Sequence, residues 1–475
     1  MNFEPVIGLE IHVEMRTKSK MFSAAPNSFA REPNTNVALL DMAYPGTMPV
    51  VNKQAVINAI RVANALHMTI DHTLYFDRKN YFYSDLPKGF QITQQFRPIG
   101  KDGYLEVIGK DGAKKKIEIE RIHMEEDTCK QLHLMDCSLL DYNRAGVPLV
   151  EIVSRPDIRN GTEAMHYVEQ IRNIVVYSGT SDGKMEEGSL RCDVNVSLRP
   201  YGSKEFGTKV EIKNINSLKN IEMALDYEIE RQSALLLSGT PVRQETRRFD
   251  EASGRTVLMR VKTDAVDYKY FPEPNITPIA LSDEFVNDAI ATCPELYDAK
   301  EARYIKAGLT ATDADIILAD KGMSAYFEEG MGKAKNAKGL ANFVIVEVNG
   351  YLNKKGISIE EFPLKAEKLA EVANMQEDGF THKQCADIFN YLLENDVSVE
   401  EAAKALHIEK QVVDAGAVLE AVTAVLDANP QSIADFKAGK DRAKGFLVGQ
   451  VMKASRGKLN PAAVAKVLDE ELAKR

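Results

Sequence analysis

The chain changes its apolar period once along its length. Up to about Cys293-Pro294 it consists of short runs in which apolar and polar residues alternate, separated by turn residues, with few long helical patterns. Beyond that point, alanine-rich stretches such as 313–321, 340–352 and 398–406 repeat their apolar residues at helical spacing. Such a chain folds as α+β, with a strand-built region first and helices after it. At about 150 residues per domain, 475 residues make roughly three domains. A second boundary falls near His407, where acidic helices pass into an apolar stretch, 412–426, and then a basic Gly/Lys segment. The predicted domains are therefore 1–293, 294–406 and 407–475.

Within the first region, acidic and histidine residues sit where strands need apolar ones. Val147-Pro-Leu-Val-Glu-Ile-Val-Ser154 reads as a strand buried on both faces, so the carboxylate of Glu151 needs a partner to offset lost hydration. A bound cation answers that need; so does a structural ion pair with Arg144 or Arg155, which flank the strand. In Val6-Ile-Gly-Leu-Glu-Ile-His-Val-Glu14, Leu9, Ile11 and Val13 take one face while Glu10, His12 and Glu14 take the other. Between Ile119 and Ile122 the apolar parity flips, which predicts a bulge after which Arg121, His123 and Glu125 point the same way. Asp193 and Asn195 alternate with Val194 and Val196, and Glu211 lies between Lys209 and Lys213. One shared polar site is the simplest explanation. A set so rich in carboxylates suits magnesium better than zinc. Each carboxylate taken singly, Glu151 least of all, also fits an ordinary solvated strand face.

Several function classes drop out. No complete GxxxxGK[ST] loop is present, and Gly179-Thr-Ser-Asp-Gly-Lys184 has the wrong spacing. The same segment matches GxSxG at Ser181, but a helical pattern precedes it and a strand follows, the reverse of a nucleophile elbow. HExxH and GxGxxG are absent. The five cysteines form no CxxC pair, which fits free thiols in a reducing compartment and argues against structural zinc. No targeting signal or membrane-spanning apolar run is evident, so the expected location is cytoplasmic.

A net charge of −10 argues against nonspecific coating of nucleic acid, yet charge is uneven. Lys437, Lys440, Arg442, Lys444, Lys453, Arg456 and Lys458 crowd the tail against Asp441 alone, either a phosphate-holding patch or a solvated helix surface. The segment from Phe76 to Gln94 is dense in recognition groups: Arg78, Lys79 and Lys88 can meet phosphate, and Tyr81, Phe82 or Tyr83 can stack on a base, although aromatics more often serve a core.

That segment, with Gly8-Leu-Glu-Ile-His-Val13, Met124-Glu-Glu-Asp127, Asp141-Tyr-Asn-Arg-Ala-Gly-Val-Pro-Leu-Val-Glu151, Glu186-Glu-Gly-Ser-Leu-Arg-Cys-Asp193, Val210-Glu-Ile-Lys-Asn-Ile-Asn-Ser217, Asp267-Tyr-Lys-Tyr-Phe-Pro-Glu-Pro274 and Gly449-Gln-Val-Met-Lys-Ala-Ser-Arg-Gly-Lys458, resembles the B-subunit family of bacterial aspartyl/glutamyl-tRNA amidotransferases. The resemblance covers essentially the whole chain. Ser84, Thr128-Cys129 and Val261-Lys-Thr263 depart from the family pattern without touching the acidic set.

The resemblance implies a cradle domain on a mostly antiparallel sheet with a kinase-like site, a helical domain, and a small helical tail similar to the YqeY family. It implies ATP- and Mg2+-dependent phosphorylation of the side-chain carboxylate of Glu on tRNA(Gln), or Asp on tRNA(Asn), followed by amidation. His12, Glu125 and Glu151 would be catalytic and hold the ion, with Glu10, Asp193 and Glu211 on the same ion or a second. Lys79, Arg191 and Lys213 would meet the nucleotide; Tyr81, Tyr83 and Lys88 the acceptor end; Lys444, Lys453, Arg456 and Lys458 the tRNA body. The implied partners are an amidase-family glutaminase (the A-subunit), a small bridging protein (the C-subunit), and the tRNA. A noncatalytic tRNA-binding scaffold and a self-sufficient ligase using free ammonia are the rival readings.

Overall fold

Among the described residues, alternation in the first region builds one nine-stranded sheet and three small ones. The computed structural model describes residues 3–28, 32–261, 267–409, 415–437, 442–455 and 461–474, and the chain forms two units, Met1–Tyr297 and Asp298–Arg475. In chain order the strands are β1 (Phe3–Glu14), β2 (Thr69–Ile70), β3 (Thr73–Leu74), β4 (Asp77–Asn80), β5 (Phe90–Thr93), β6 (Gly100–Ile108), β7 (Lys114–Glu126) and β8 (Lys130–His133). They continue with β9 (Ser138–Asp141), β10 (Pro148–Ser154), β11 (Leu190–Pro200), β12 (Val210–Ile215), β13 (Glu245–Asp250), β14 (Arg255–Val261), β15 (Phe271–Pro272) and β16 (Ile279–Ala280). The large sheet runs β14-β13-β12-β11-β1-β10-β7-β6-β2. Every neighbouring pair is antiparallel except β12–β13, and helix α3 (Leu218–Leu237) makes the crossover that a parallel pair requires. With the helices that follow, the fold is α+β.

The two faces of this sheet differ as the period-two pattern of β1 demands. Ile7, Leu9, Ile11 and Val13 are sealed in one core with apolar residues of α1 (Lys53–Ala65), α2 (Gly161–Tyr177) and α3. The helices start where side chains accept orphan amide protons, at Asn52, Asn160 and Ser217. A Cβ at Gly103 of β6 would lie 2.4 Å from the Leu66 carbonyl oxygen, so glycine lets the sheet approach the end of α1. The opposite face of β1 carries Glu10, His12 and Glu14. On β7 the parity flip is a bulge: Val153 pairs with Arg121 but Ser154 with Ile119, leaving Glu120 without a partner in the ladder. The small sheet β15-β4-β5 brings Gln91 and Thr93 of β5 to the end of β7.

The second unit is helical. Capping boxes start several helices, at Thr310/Asp313, Thr381/Gln384 and Ser398/Glu401. Its last four helices, 415–428, 430–437, 442–454 and 461–474, close an apolar core of their own around Val418, Val422, Leu426, Leu447, Val464 and Leu468. Among the described residues, no helix is long and apolar enough to cross a membrane.

Candidate active site

Strand register assembles the site. Arg191, His12, Glu151 and His123 stand side by side on β11, β1, β10 and β7, and with side chains alternating across each strand they share one face. The partner demanded by Glu151 is a pair of imidazoles: its Oε2 lies 3.0 Å from His123 Nε2 and 3.4 Å from His12 Nε2. The expected alternative, an ion pair to Arg144 or Arg155, does not form. Arg155 reaches Asp102 at 2.9 Å and Glu118 at 3.5 Å, while Arg144 reaches Asp127 at 3.6 Å and the carbonyls of Thr128 and Cys129. Both arginines lie beyond the ends of β10, and the ladder turns the middle of the strand toward its neighbours instead.

Glu125, two residues beyond His123 on the same face, completes the group. His123 Nε2 lies 3.1 Å from its Oε1, Thr93 Oγ1 donates to the same oxygen at 2.9 Å, and Gln91 Nε2 donates to Oε2 at 3.2 Å. Ligand atoms of His12, Glu125 and Glu151 converge to within 4.8 Å of one another. Burial opposes charge on both carboxylates, yet both sit below the ordinary range: at Glu125 His123 and Lys79 outweigh burial and the nearby Glu151, and at Glu151 His123 and His12 hold the pKa well below it. Burial likewise disfavours the His123 imidazolium, but Glu151 and Glu125 push that group up to about 9. Lys79 stands 5.0 Å from the centre of the Tyr268 ring. Burial works against its charge, and the nearby Glu125 more than restores it, raising its pKa.

The other predicted ligands form a separate group. Asn195 Nδ2 donates to Glu10 Oε1 at 2.9 Å, Lys213 bridges Asp193 and Glu211, and Thr246 Oγ1 donates to Glu211 Oε2 at 2.9 Å. Burial raises the pKa of Glu10, helped by Glu151 and Asp193. Further along β1, burial and the neighbouring Asp127 push Glu14 up to about 7, and Arg191 pairs with Asp127 at 2.7 Å.

Comparison with known proteins decides the family. Residues 5–287 match the GatB/GatE catalytic domain and residues 325–472 the GatB domain. Over the full length of both chains, the sequence is 50% identical to the aspartyl/glutamyl-tRNA(Asn/Gln) amidotransferase B-subunit of Lysinibacillus sphaericus. It is 50% identical to the Geobacillus thermodenitrificans protein of that name and 48% to the one from Bacillus mycoides, again over the full length of both. The chain belongs to the GatB/GatE family. The converging His12, Glu125 and Glu151 all lie within the stretch matched to the GatB/GatE catalytic domain.

The remaining predicted residues are placed as follows. Lys88 pairs with Glu126, whose Oε1 also accepts from the Ile92 amide at 3.1 Å. Tyr83, Tyr81, Tyr268, Tyr270 and Phe96 form an edge-to-face chain with ring centres 5.8 to 6.3 Å apart, and Phe82 beside them is exposed. Arg78 is engaged by Glu273 through two bonds of 2.6 and 3.1 Å. In the tail, Lys444 pairs with Asp469 at 2.7 Å and Lys453 lies on the helix 442–454, whereas Arg456 and Lys458 fall outside the described residues. Ser181 is buried, with its Oγ accepting from the Gly183 amide at 3.3 Å.

Sequence reasoning left three contributors out of the ligand set. The alternation of β7 makes His123 a neighbour of Glu125, but nothing local shows that it bridges two carboxylates. Thr93 and Gln91 belong to the segment read for tRNA recognition, and only the approach of β5 to β7 reveals their bonds to Glu125.

Proposed function

We propose that this chain uses ATP to phosphorylate the side-chain carboxylate of Glu or Asp misacylated onto tRNA, and that ammonia then displaces phosphate to give the amide. The observation that carries this reading is the convergence of His12, Glu125 and Glu151. Support comes from the relatives, which are named as the B-subunit of aspartyl/glutamyl-tRNA(Asn/Gln) amidotransferase. Ammonia does not displace oxide from a free carboxylate. One carboxylate oxygen attacks the γ-phosphorus, the bond to ADP breaks, and ammonia then displaces phosphate from the acyl phosphate so formed, the proton lost by nitrogen leaving on the phosphate.

The donor set fits a divalent cation. Glu125 and Glu151 are both buried, and neither forms a lysine or arginine ion pair among the described residues, so two negative charges share a pair of imidazoles. Residues of this kind would hold Mg2+, which would supply positive charge to offset that developing during phosphoryl transfer. Thr93 and Gln91 fix the rotamer of Glu125, and His123 spaces the two carboxylates. Lys79 offers a cation to a phosphoryl oxygen, as do Arg191 and Lys213 by exchanging their present carboxylate partners. Glu10, Asp193 and Glu211 would serve the same ion or a second. Tyr81, Tyr83 and Lys88 would meet the acceptor end, and the basic tail the tRNA body.

Ammonia would come from an amidase-family glutaminase, the A-subunit, joined through the small C-subunit, in the cytoplasm, with the chain divided at 293 and 407. The test assembles the chain with these partners and follows ATP-dependent conversion of Glu-tRNA with ammonium supplied directly. Glu125→Gln and Glu151→Gln should each lower acyl phosphorylation by about a hundredfold or more while tRNA binding persists. Near-normal turnover in both variants would reduce the chain to a tRNA-binding scaffold.

A further inference from the structure

On β7, Arg121, His123 and Glu125 share the face that carries the site, and of the three Arg121 has no part in it so far. It lies across from Val153 of β10, one ladder step from the His123–Glu151 pair, about 7 Å along the strand. On its other side, β6 sets Lys101 opposite it. Neither neighbouring strand supplies a carboxylate at this level. Asp71, whose field Lys101 feels, is taken by Arg97 at 2.7 Å. Among the described residues, neither Arg121 nor Lys101 forms an ion pair. Arg121 is half-buried, and its Nε is sealed from solvent with no acceptor to meet it.

Like charges directly opposite each other in an antiparallel ladder are destabilising, and a donor drawn out of water without an acceptor is costly. An anion laid against Arg121 removes both penalties. Its position indicates which anion. Burial raises the pKa of the Tyr270 phenol, and Lys79 and Arg121 both act against it, so Arg121 stands close to the aromatic chain of Tyr81, Tyr268 and Tyr270. That chain and Arg121 belong to the β7 side of the His12 group, with β10, β1 and β11 between them and Lys213 on β12. An aminoacyl end that meets the tyrosines therefore arrives on the Arg121 side of the ion ligands.

We infer that Arg121 receives the side-chain carboxylate of the aminoacyl group and is the residue that distinguishes this acid from its amide. The assignment rests on the phosphorylation reading given above. A guanidinium fork matches both oxygens of a carboxylate, and each oxygen keeps a further lone pair with which to attack phosphorus. The amide sets an NH2 against the same donors and carries no charge, so the finished product is held more weakly than the substrate.

The test uses the full chain assembled with its partners, without ATP, and measures affinity for tRNA(Gln) carrying Glu, carrying Gln and uncharged. Wild type is compared with Arg121→Gln and Arg121→Lys. The wild type should prefer Glu-tRNA to Gln-tRNA about tenfold or more. Arg121→Gln should abolish that preference, and Arg121→Lys, which keeps the charge but loses the fork, should retain part of it. Affinities for uncharged tRNA and for ATP should be unchanged, and the urea midpoint of Arg121→Gln should equal or exceed that of wild type, since the residue has no protein acceptor to lose. Preference retained in Arg121→Gln overturns the assignment. Equal weakening toward all three tRNAs overturns it in favour of a backbone phosphate, and weakened ATP binding does so in favour of the nucleotide. Acyl phosphate formation from Glu-tRNA and ATP is followed in parallel: its absence in the wild type brings down the phosphorylation reading and the assignment with it, whereas its presence without any wild-type preference overturns the assignment alone.

Discussion

His123 and Glu151 face each other across the β7–β10 ladder with Nε2 and Oε2 3.0 Å apart. The pair makes the cation-free site dependent on an imidazolium. His123 is pushed up to about 9 from its ordinary 6.5, and a group with a raised folded pKa stabilises fully below its unfolded value and loses that stabilisation as pH rises through the folded one. In chelator, the urea midpoint of the wild type should therefore fall between about pH 6.5 and 9 relative to that of His123→Gln. Saturating Mg2+ should move the step to lower pH, since the cation competes with the proton for the same carboxylate field. Parallel pH curves for the two proteins would refute the linkage.

Thr93→Val removes one donor to Glu125 Oε1 while keeping the side chain's shape. A carboxylate held by one fewer bond samples more rotamers, so acyl phosphorylation should drop about ten- to a hundredfold. The stability cost should be only about 1 kcal/mol. Rapid-quench measurement of the phosphorylation step checks this; full activity would show that Gln91 and His123 suffice.

Arg78→Met should act on folding. Glu273 is sealed from solvent and held by both bonds from Arg78, so an uncompensated buried carboxylate remains, at a cost of about 3–5 kcal/mol. Denaturant unfolding of the full chain would reveal it. An unchanged midpoint accompanied by weaker tRNA binding would instead return Arg78 to phosphate recognition.

Deleting residues 408–475 removes the basic tail together with the apolar core that its helices close on themselves. Affinity for tRNA should fall and its salt dependence should flatten, while assembly with the partner proteins persists. Fluorescence anisotropy at several salt concentrations measures the tRNA affinity and its salt slope, and an unchanged affinity would take the tRNA body away from the tail.

The sequence by itself determined which residues face together along each strand, because period-two alternation is a local property of the backbone. It placed Glu10, His12 and Glu14 opposite Leu9, Ile11 and Val13, located the β7 bulge, and identified Glu151 as a carboxylate needing a partner. Motif order along the whole chain also pointed to the GatB/GatE family. Only tertiary structure decided which partner Glu151 takes. Pairing of β10 between β1 and β7 joins residues 139 and 28 positions away in sequence, so two histidines answer it rather than the adjacent arginines. Register likewise separated the predicted ligands into one group around His12 and another around Lys213, and the approach of β5 brought Thr93 and Gln91 to Glu125. These contacts depend on how strands align across long loops, which no local pattern encodes.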